Sequence, residues 1–184
     1  MAQPDTLAVG CRQGRPSPHP LAILALITVV VALLGVPGGL AWAEIAPRAA
    51  VVITGRGVAQ VVSPETKAFI AADGWFCIVG VLAGVVTGLA GYLTAVRRHG
   101  SATVGLVVGG LGASFVQWWV GRNVGLASFR SALLLSPKGA VLHAPLVLRA
   151  HAALVIWPLT AALIVTLAEL VAGQRGEPAP SGDP

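Results

Sequence analysis

Four long apolar stretches, each free of ionisable residues at its centre, constrain this chain more than any other feature. They cover 21–43, 74–96, 101–121 and 150–172. Each holds about 20 residues or slightly more, which as a helix rising about 1.5 Å per residue crosses the roughly 30 Å hydrocarbon core of a bilayer. These stretches also lack the polar face that each helix of a water-soluble bundle needs. The sequence therefore predicts an all-α membrane protein with four transmembrane helices.

The composition supports this fold class and argues against nucleic acid as a partner. Hydrophobic residues make up 55% of the chain and charged residues only 10%, far from the balance of a soluble domain. The net charge is +5, but the 12 Lys and Arg residues are scattered over tails and loops, so no basic stripe forms. Cations beside membrane spans anchor to headgroups. We therefore expect the lipid bilayer, and no nucleic acid, as a partner.

The N-terminal region allows two interpretations. Arg12 and Arg15 precede an apolar run that ends in Ala41-Trp42-Ala43, which has the small-x-small form of a signal-peptidase site. The run is long for a signal peptide, and Gly-Val-Pro-Gly-Gly at 35–39 interrupts it, so we favour an uncleaved first helix and keep cleavage after Ala43 as the alternative. We expect residues 1–20 and 173–184 to be disordered cytoplasmic tails.

Basic residues also bear on orientation in the membrane. Summed over the loops and tails of each side, Lys and Arg give an ambiguous answer, but Arg97-Arg98-His99 forms a dense basic turn. Such density is typical of a cytoplasmic loop, so we expect a protein of the cell membrane with both termini in the cytoplasm. Four tryptophans at span ends fit an interfacial belt on the opposite side: Trp42, Trp75, Trp118 and Trp119.

Glycines recur at every fourth position on two of the spans. They are Gly80, Gly84 and Gly88 on the second span, and Gly105 and Gly109 on the third. This spacing clears one side of a helix for close approach of another backbone. Because only a short turn joins the two spans, we predict that they form a tight antiparallel hairpin. The alternative is a homodimer interface.

The first loop, 44–73, predicts a small extracytoplasmic β-hairpin. Two β-rich runs, 50–54 and 58–62, flank Gly55-Arg56-Gly57, a turn that closes hairpins. Ser63-Pro64-Glu65 then has the pattern of a helix start, predicting a short helix through Phe69. An isolated hairpin is marginal in water, so we expect it to pack on the bilayer, on the third loop or on a partner. The loop is either a recognition surface or a passive connector.

The third loop is basic and has no acidic residue. We expect its cations to pair with acids of the first loop, and the alternative is that they hold anionic lipid headgroups. The cations are Arg122, Arg130, Lys138 and Arg149, and the acids are Glu44, Glu65 and Asp73.

Residues that could carry chemistry are few. The span centres lack the acids and bases that membrane enzymes and proton-coupled transporters use. His143 and His151 have no third strong ligand nearby in the sequence, and we predict no metal, cofactor or catalytic residue. Asp73 precedes the second span, which we expect it to cap, with recognition as the alternative. The candidate recognition surface comprises Asp73, Trp75, Arg122, Arg149 and His151.

The run from Ser63 to Phe76, with Ala72-Asp73-Gly74-Trp75 at its centre, precedes a glycine-rich span and an Arg-Arg turn. In this it resembles a family of small four-helix membrane proteins of unknown function from actinobacteria. The resemblance covers about residues 21–172 and implies a fold and a location, but no activity.

Three functional classes remain. We favour a non-catalytic accessory or assembly subunit of a cell-envelope membrane complex, with a membrane-protein partner or a homo-oligomer. The second is an oligomeric small-molecule or lipid transporter. The third is an envelope enzyme with an interfacial site around Asp73, Arg122, Arg149 and His151.

Overall fold

The computed structural model describes residues 20–55, 57–62, 67–93 and 100–174. Most of the predicted tails, the basic segment at 97–99 and the helix start at 63–66 lie outside these residues. The tail boundaries at 20 and at 173–174 were wrong, because α1 begins at Pro20 and α6 ends at Gln174. The elements in chain order are α1 (Pro20–Leu33), α2 (Gly35–Ile45), β1 (Ala50–Gly55), β2 (Val58–Val61), α3 (Lys67–Gly91), α4 (Gly100–Asn123), α5 (Leu126–Leu135), β3 (Val141–His143), a 3₁₀ helix (His151–Val155) and α6 (Ile156–Gln174).

Four helical segments are long and apolar enough to cross a membrane, as the sequence predicted. They are Leu24–Ile45, Lys67–Gly91, Thr103–Leu135 and His151–Gln174. The first is broken at Leu34, between α1 and α2. The break precedes Pro37, which falls in the first turn of α2, where a missing backbone N–H leaves no helical hydrogen bond unmade.

The helices pack as two parallel pairs, and the prediction that the glycine faces of the second and third spans pack on each other as a tight hairpin is wrong. In the first pair, Gly105 and Gly109 of α4 face α1, and Gly39 of α2 faces a later part of α4. The first apolar helix and α4 therefore run in the same direction. In the second pair, Gly84 and Gly88 of α3 face α6. The spacing identified the close-packing faces correctly, but each face meets a helix that is not its neighbour in sequence.

The predicted hairpin is present and gains a third strand. β1 pairs antiparallel with β2, and on its other edge with β3 of the third loop, giving the order β2-β1-β3. Val51 and Ile53 of the central strand are buried. Gly57 has φ +75°, as the turn requires. We call residues 46–62 and 124–150, except 56, the cap, because they lie together at one end of the bundle.

Two apolar clusters hold the bundle and the cap together. One lies within the helices and includes Val31, Leu106 and Trp157. The other joins the helix ends to the cap, where Leu146 and Leu148 pack with Trp42 and Phe76. Trp42 is fully buried, so its placement in an interfacial belt was wrong. Trp75 and Trp119 of that predicted belt are exposed.

Candidate functional site at the cap end of the bundle

Asp73 ties the second apolar helix to the start of the fourth. One carboxylate oxygen accepts the backbone N–H of Arg149 at 3.1 Å, and the other accepts that of Ala150 at 3.0 Å. Ala150 is the N-cap of the 3₁₀ helix and provides no side-chain cap. A carboxylate placed here satisfies N–H groups that have no helical partner and lies at the positive end of the helix dipole.

The prediction that Asp73 caps its own helix is therefore wrong. α3 begins at Lys67 and runs through Asp73 without a break, so Asp73 lies in the second turn. Its carboxylate caps a helix that follows 77 residues later at Ala150. No local sequence pattern indicates a cap provided from so far away.

Arg149 contributes a second contact to the same junction. Its guanidinium lies 4.0 Å from the centroid of the Phe69 ring, and Phe69 is one turn before Asp73 on α3. A cation over an aromatic face is attracted by the ring quadrupole. Together the backbone and the side chain of Arg149 hold the end of the third loop against α3. His151 follows two residues later and is exposed.

The other two predicted recognition residues occupy separate positions. Trp75 lies on α3 with 37% of its surface exposed. Arg122, at the end of α4, places its guanidinium 5.5 Å from the centroid of the Trp118 ring. The structure thus brings Asp73 and Arg149 together, with His151 two residues further along the chain. Among the described residues, no hydrogen bond, ion pair or ring contact joins Trp75 or Arg122 to them.

The expected ion pairs between the third and first loops are not formed in the described part of the chain. Arg149 reaches Asp73 through its backbone N–H rather than its guanidinium, and Arg122 stacks on Trp118 of its own helix. Among residues 20–55 and 67–93, neither Glu44 nor Asp73 has a cationic side-chain partner. Glu65 lies outside the described residues.

Within the described part of the chain, α3 also accepts a side-chain hydrogen bond from each of the other three apolar helices. Trp42 Nε1 of α2 donates to Ala72 O at 2.8 Å. Trp157 Nε1 of α6 donates to Thr87 Oγ1 at 3.1 Å, and Gln117 Nε2 of α4 donates more weakly to Phe76 O at 3.4 Å. Sequence reasoning searched for ionisable groups and missed this set. The detectable signal was a glutamine and two tryptophans within apolar helices, where each needs a polar partner.

Gln117 leaves one polar atom unsatisfied. The residue is fully buried, and within the described structure its Oε1 has no hydrogen-bond partner. It lies next to Gly38, because a Cβ added to Gly38 would be 3.6 Å from the Gln117 side chain. An unpaired buried carbonyl costs about 1–3 kcal/mol, so this position is a polar defect in the bundle.

The five glycines predicted to mediate packing all face the chain itself. A Cβ on Gly84 would lie 2.8 Å from Trp157 O, one on Gly88 2.8 Å from Ala161 O, and one on Gly109 2.9 Å from Val31 Cβ. Gly105 faces Leu24 O at 3.1 Å, and Gly80 faces Ile156 at 3.8 Å. These contacts favour packing within the chain over a homodimer interface.

A lateral cleft of about 390 Å³ lies between α2 and α3. Its walls are apolar apart from Thr87, and Gly38 and Trp157 form part of them. The Thr87 hydroxyl donates to Ala83 O at 2.8 Å and accepts from Trp157, so its hydrogen bonds are already made within the chain. Among the residues the structure covers, no group of three or more His, Cys, Asp or Glu is placed to hold a metal.

No protein-family model matches this chain, and no match was found among curated proteins or solved structures.

Proposed function

We propose that the chain is a non-catalytic integral membrane protein that acts as an accessory or assembly subunit of a cell-envelope complex. This proposal rests on one observation: the polar side chains of the apolar helices make hydrogen bonds within the chain. Trp42, Gln117 and Trp157 all donate to α3, and both carboxylate oxygens of Asp73 accept backbone N–H groups. Polar groups that act on a substrate or a proton must be directed at it, whereas these hold helices together.

The backbone contacts support a scaffold over a transporter. A Cβ on Gly39 would lie 2.6 Å from Gln117 O, and one on Gly88 2.8 Å from Ala161 O. Alternating access needs one group of helices to rock against another. Helices in contact backbone to backbone resist such movement because packed interiors do not deform continuously. Both carboxylate oxygens of Asp73 already accept backbone N–H groups. This likewise weighs against an enzyme that uses Asp73 in an interfacial active site.

The location belongs to the same proposal: the cell membrane, with both termini in the cytoplasm and the cap on the outer side. The dense basic turn at 97–99 supports this orientation. The candidate recognition residues at the cap end then face the envelope: Asp73, Arg149 and His151 at one position, and Trp75 and Arg122 at separate ones. A membrane-protein partner fits better than a homo-oligomer, since the glycine faces are filled by the chain itself. Membership of the actinobacterial four-helix family is also part of this proposal.

The test is affinity purification of the full chain in mild detergent, followed by mass spectrometry and sizing. We expect one membrane protein to be recovered in stoichiometric amount. The recognition surface is tested by Trp75→Ala, which removes an exposed ring. Trp119→Ala is the matched control, because Trp119 is also an exposed tryptophan near the cap end but is not one of the five candidate recognition residues.

The proposal expects recovery of the partner to fall with Trp75→Ala and to stay at the wild-type level with Trp119→Ala, at equal yields of folded protein. A chain that purifies as a homodimer or monomer without a stoichiometric partner would contradict the accessory role. Equal recovery of the partner with both variants would show that Trp75 is not part of the recognition surface.

A further inference from the structure

The far end of α5 forms an apolar tip flanked by cations. Leu134 and Leu135 are 65% and 84% exposed, the latter the most exposed large apolar side chain in the described part of the chain. Arg130 lies one turn before Leu134 on the same helix, and Lys138 follows three residues after Leu135; both are exposed. Leucines between basic side chains are typical of segments that enter the headgroup region of a membrane.

The hairpin turn enlarges this tip. A Cβ added to Gly57 would lie 3.8 Å from Leu134 Cδ2, and Val58, the next residue, is exposed. The backbone N–H of Gly139 donates to Ile53 O at 2.8 Å, which places Lys138 beside the same end of the sheet. We call Val58, Arg130, Leu134, Leu135 and Lys138 the tip patch.

A glycine turn separates α5, which carries most of the tip patch, from α4. Gly125, the residue before α5, has φ +78°, a left-handed conformation that ends α4 and turns the chain. α5 therefore begins as a separate helix after this turn, at the cap end of the bundle.

The cations of the third loop divide into two kinds. Arg122 and Arg149 are stacked on Trp118 and Phe69. Arg130 and Lys138 have no polar or ring partner for their charged groups among the described residues. No acidic residue occurs from Arg122 to Arg149, so the loop itself provides no counter-charge for them.

We infer that the tip patch docks on the surrounding bilayer, with its leucines among the acyl chains near the surface and Arg130 and Lys138 on anionic phosphate headgroups. Charge complementarity selects an anionic lipid surface over a neutral one. The contact gives the cap a second attachment, in addition to the junction at Asp73. It is independent of whether the protein has an accessory role.

The test uses the full chain in lipid nanodiscs, both faces of which are open to solution. The discs contain phosphatidylcholine alone or mixed with phosphatidylglycerol. A fluorophore is attached at Ser131→Cys in a Cys11→Ser, Cys77→Ser background. Ser131 is exposed on α5, one turn before Leu135, so the leucines stay intact. Quenching by acrylamide, which is uncharged, reports whether the label is covered.

We expect stronger protection of the label in the anionic discs, with loss of that excess at high salt. One basic side chain near an anionic surface is worth about fivefold in affinity, so Arg130→Gln with Lys138→Gln should lower the docked-to-undocked ratio about 25-fold. Lys67→Gln is the matched control, since it removes an exposed cation from the start of α3. It should leave the protection unchanged.

Equal quenching in both kinds of disc would overturn the inference. So would protection that persists in the double variant, because a protein or a second copy would then be covering the patch. An equal loss with Lys67→Gln would show a general effect of net charge and would also refute a specific tip contact.

Discussion

Replacing Gly84 by alanine tests the parallel pairing of α3 and α6. The new Cβ would lie 2.8 Å from both Thr160 Cβ and Trp157 O, whereas non-bonded carbon atoms pack at about 3.5–4.0 Å. Trp157 O is a backbone atom, and the Thr160 side chain is β-branched, with its hydroxyl bonded to Ile156 O at 2.8 Å. Neither group can move aside by a simple rotation, so the two helices must separate.

The expected loss of stability is measured against a matched control variant. Gly74→Ala is made on the same helix, where no atom outside the local backbone lies within 4 Å of the new Cβ. Both changes gain up to about 1 kcal/mol of helix propensity. Overpacking costs typically about 1–3 kcal/mol. The difference between the two free energies of unfolding cancels the gain in helix propensity. Gly84→Ala should therefore be about 1–3 kcal/mol less stable than Gly74→Ala.

The assay is unfolding by sodium dodecyl sulfate from a mild detergent micelle, followed by tryptophan fluorescence. A thermal scan should show the same order, with a Tm difference of roughly 2–4 °C for each kcal/mol in a chain of this size. Equal stability of the two variants would refute the close contact between α3 and α6. A larger Gly84→Leu substitution should prevent the native packing altogether.

Three further experiments test the polar contacts. Asp73→Asn should cost about 0.5–2 kcal/mol of stability and speed amide exchange at the start of the fourth apolar helix, because the NH₂ group that replaces one carboxylate oxygen cannot accept a backbone N–H. Glu44→Gln should change neither the stability nor the exchange, and unchanged exchange in Asp73→Asn would contradict the cap. Gln117→Leu should be neutral or stabilising by up to about 3 kcal/mol, and a clear loss of stability would indicate that Oε1 has a partner. Trp157→Phe and Thr87→Val should couple by about 0.5–1.5 kcal/mol in a double-mutant cycle, whereas strict additivity would contradict their hydrogen bond.

The sequence predicted the local features well. Gly55-Arg56-Gly57 correctly indicated the hairpin, because turn chemistry is decided by residues next to each other. The apolar runs correctly indicated four long helices. Gly84 and Gly109 correctly marked close-packing faces.

The partners across the fold could not be predicted. Glycine spacing defines a face but not the helix that fills it, and consecutive elements usually pack together, so the glycines of α3 were assigned to α4 rather than α6. Asp73 was expected to cap α3 because it directly precedes the apolar run at 74–96, but the helix begins earlier, at Lys67. Its true partners, Arg149 and Ala150, are far away in sequence. β3 has only three residues, too few to give a pattern of their own.

The two parallel pairs also set an order of events during synthesis. α1 and α2 cannot meet their main partner until α4, which begins at Gly100, has been made, and α3 must wait for α6. At about 5–20 residues per second, the first apolar helix stays without its partner for several seconds. A chain cut between the second and third apolar helices would leave both fragments with uncovered glycine grooves. We expect the insertion machinery, or another helix, to shelter these grooves until the fourth helix is in place.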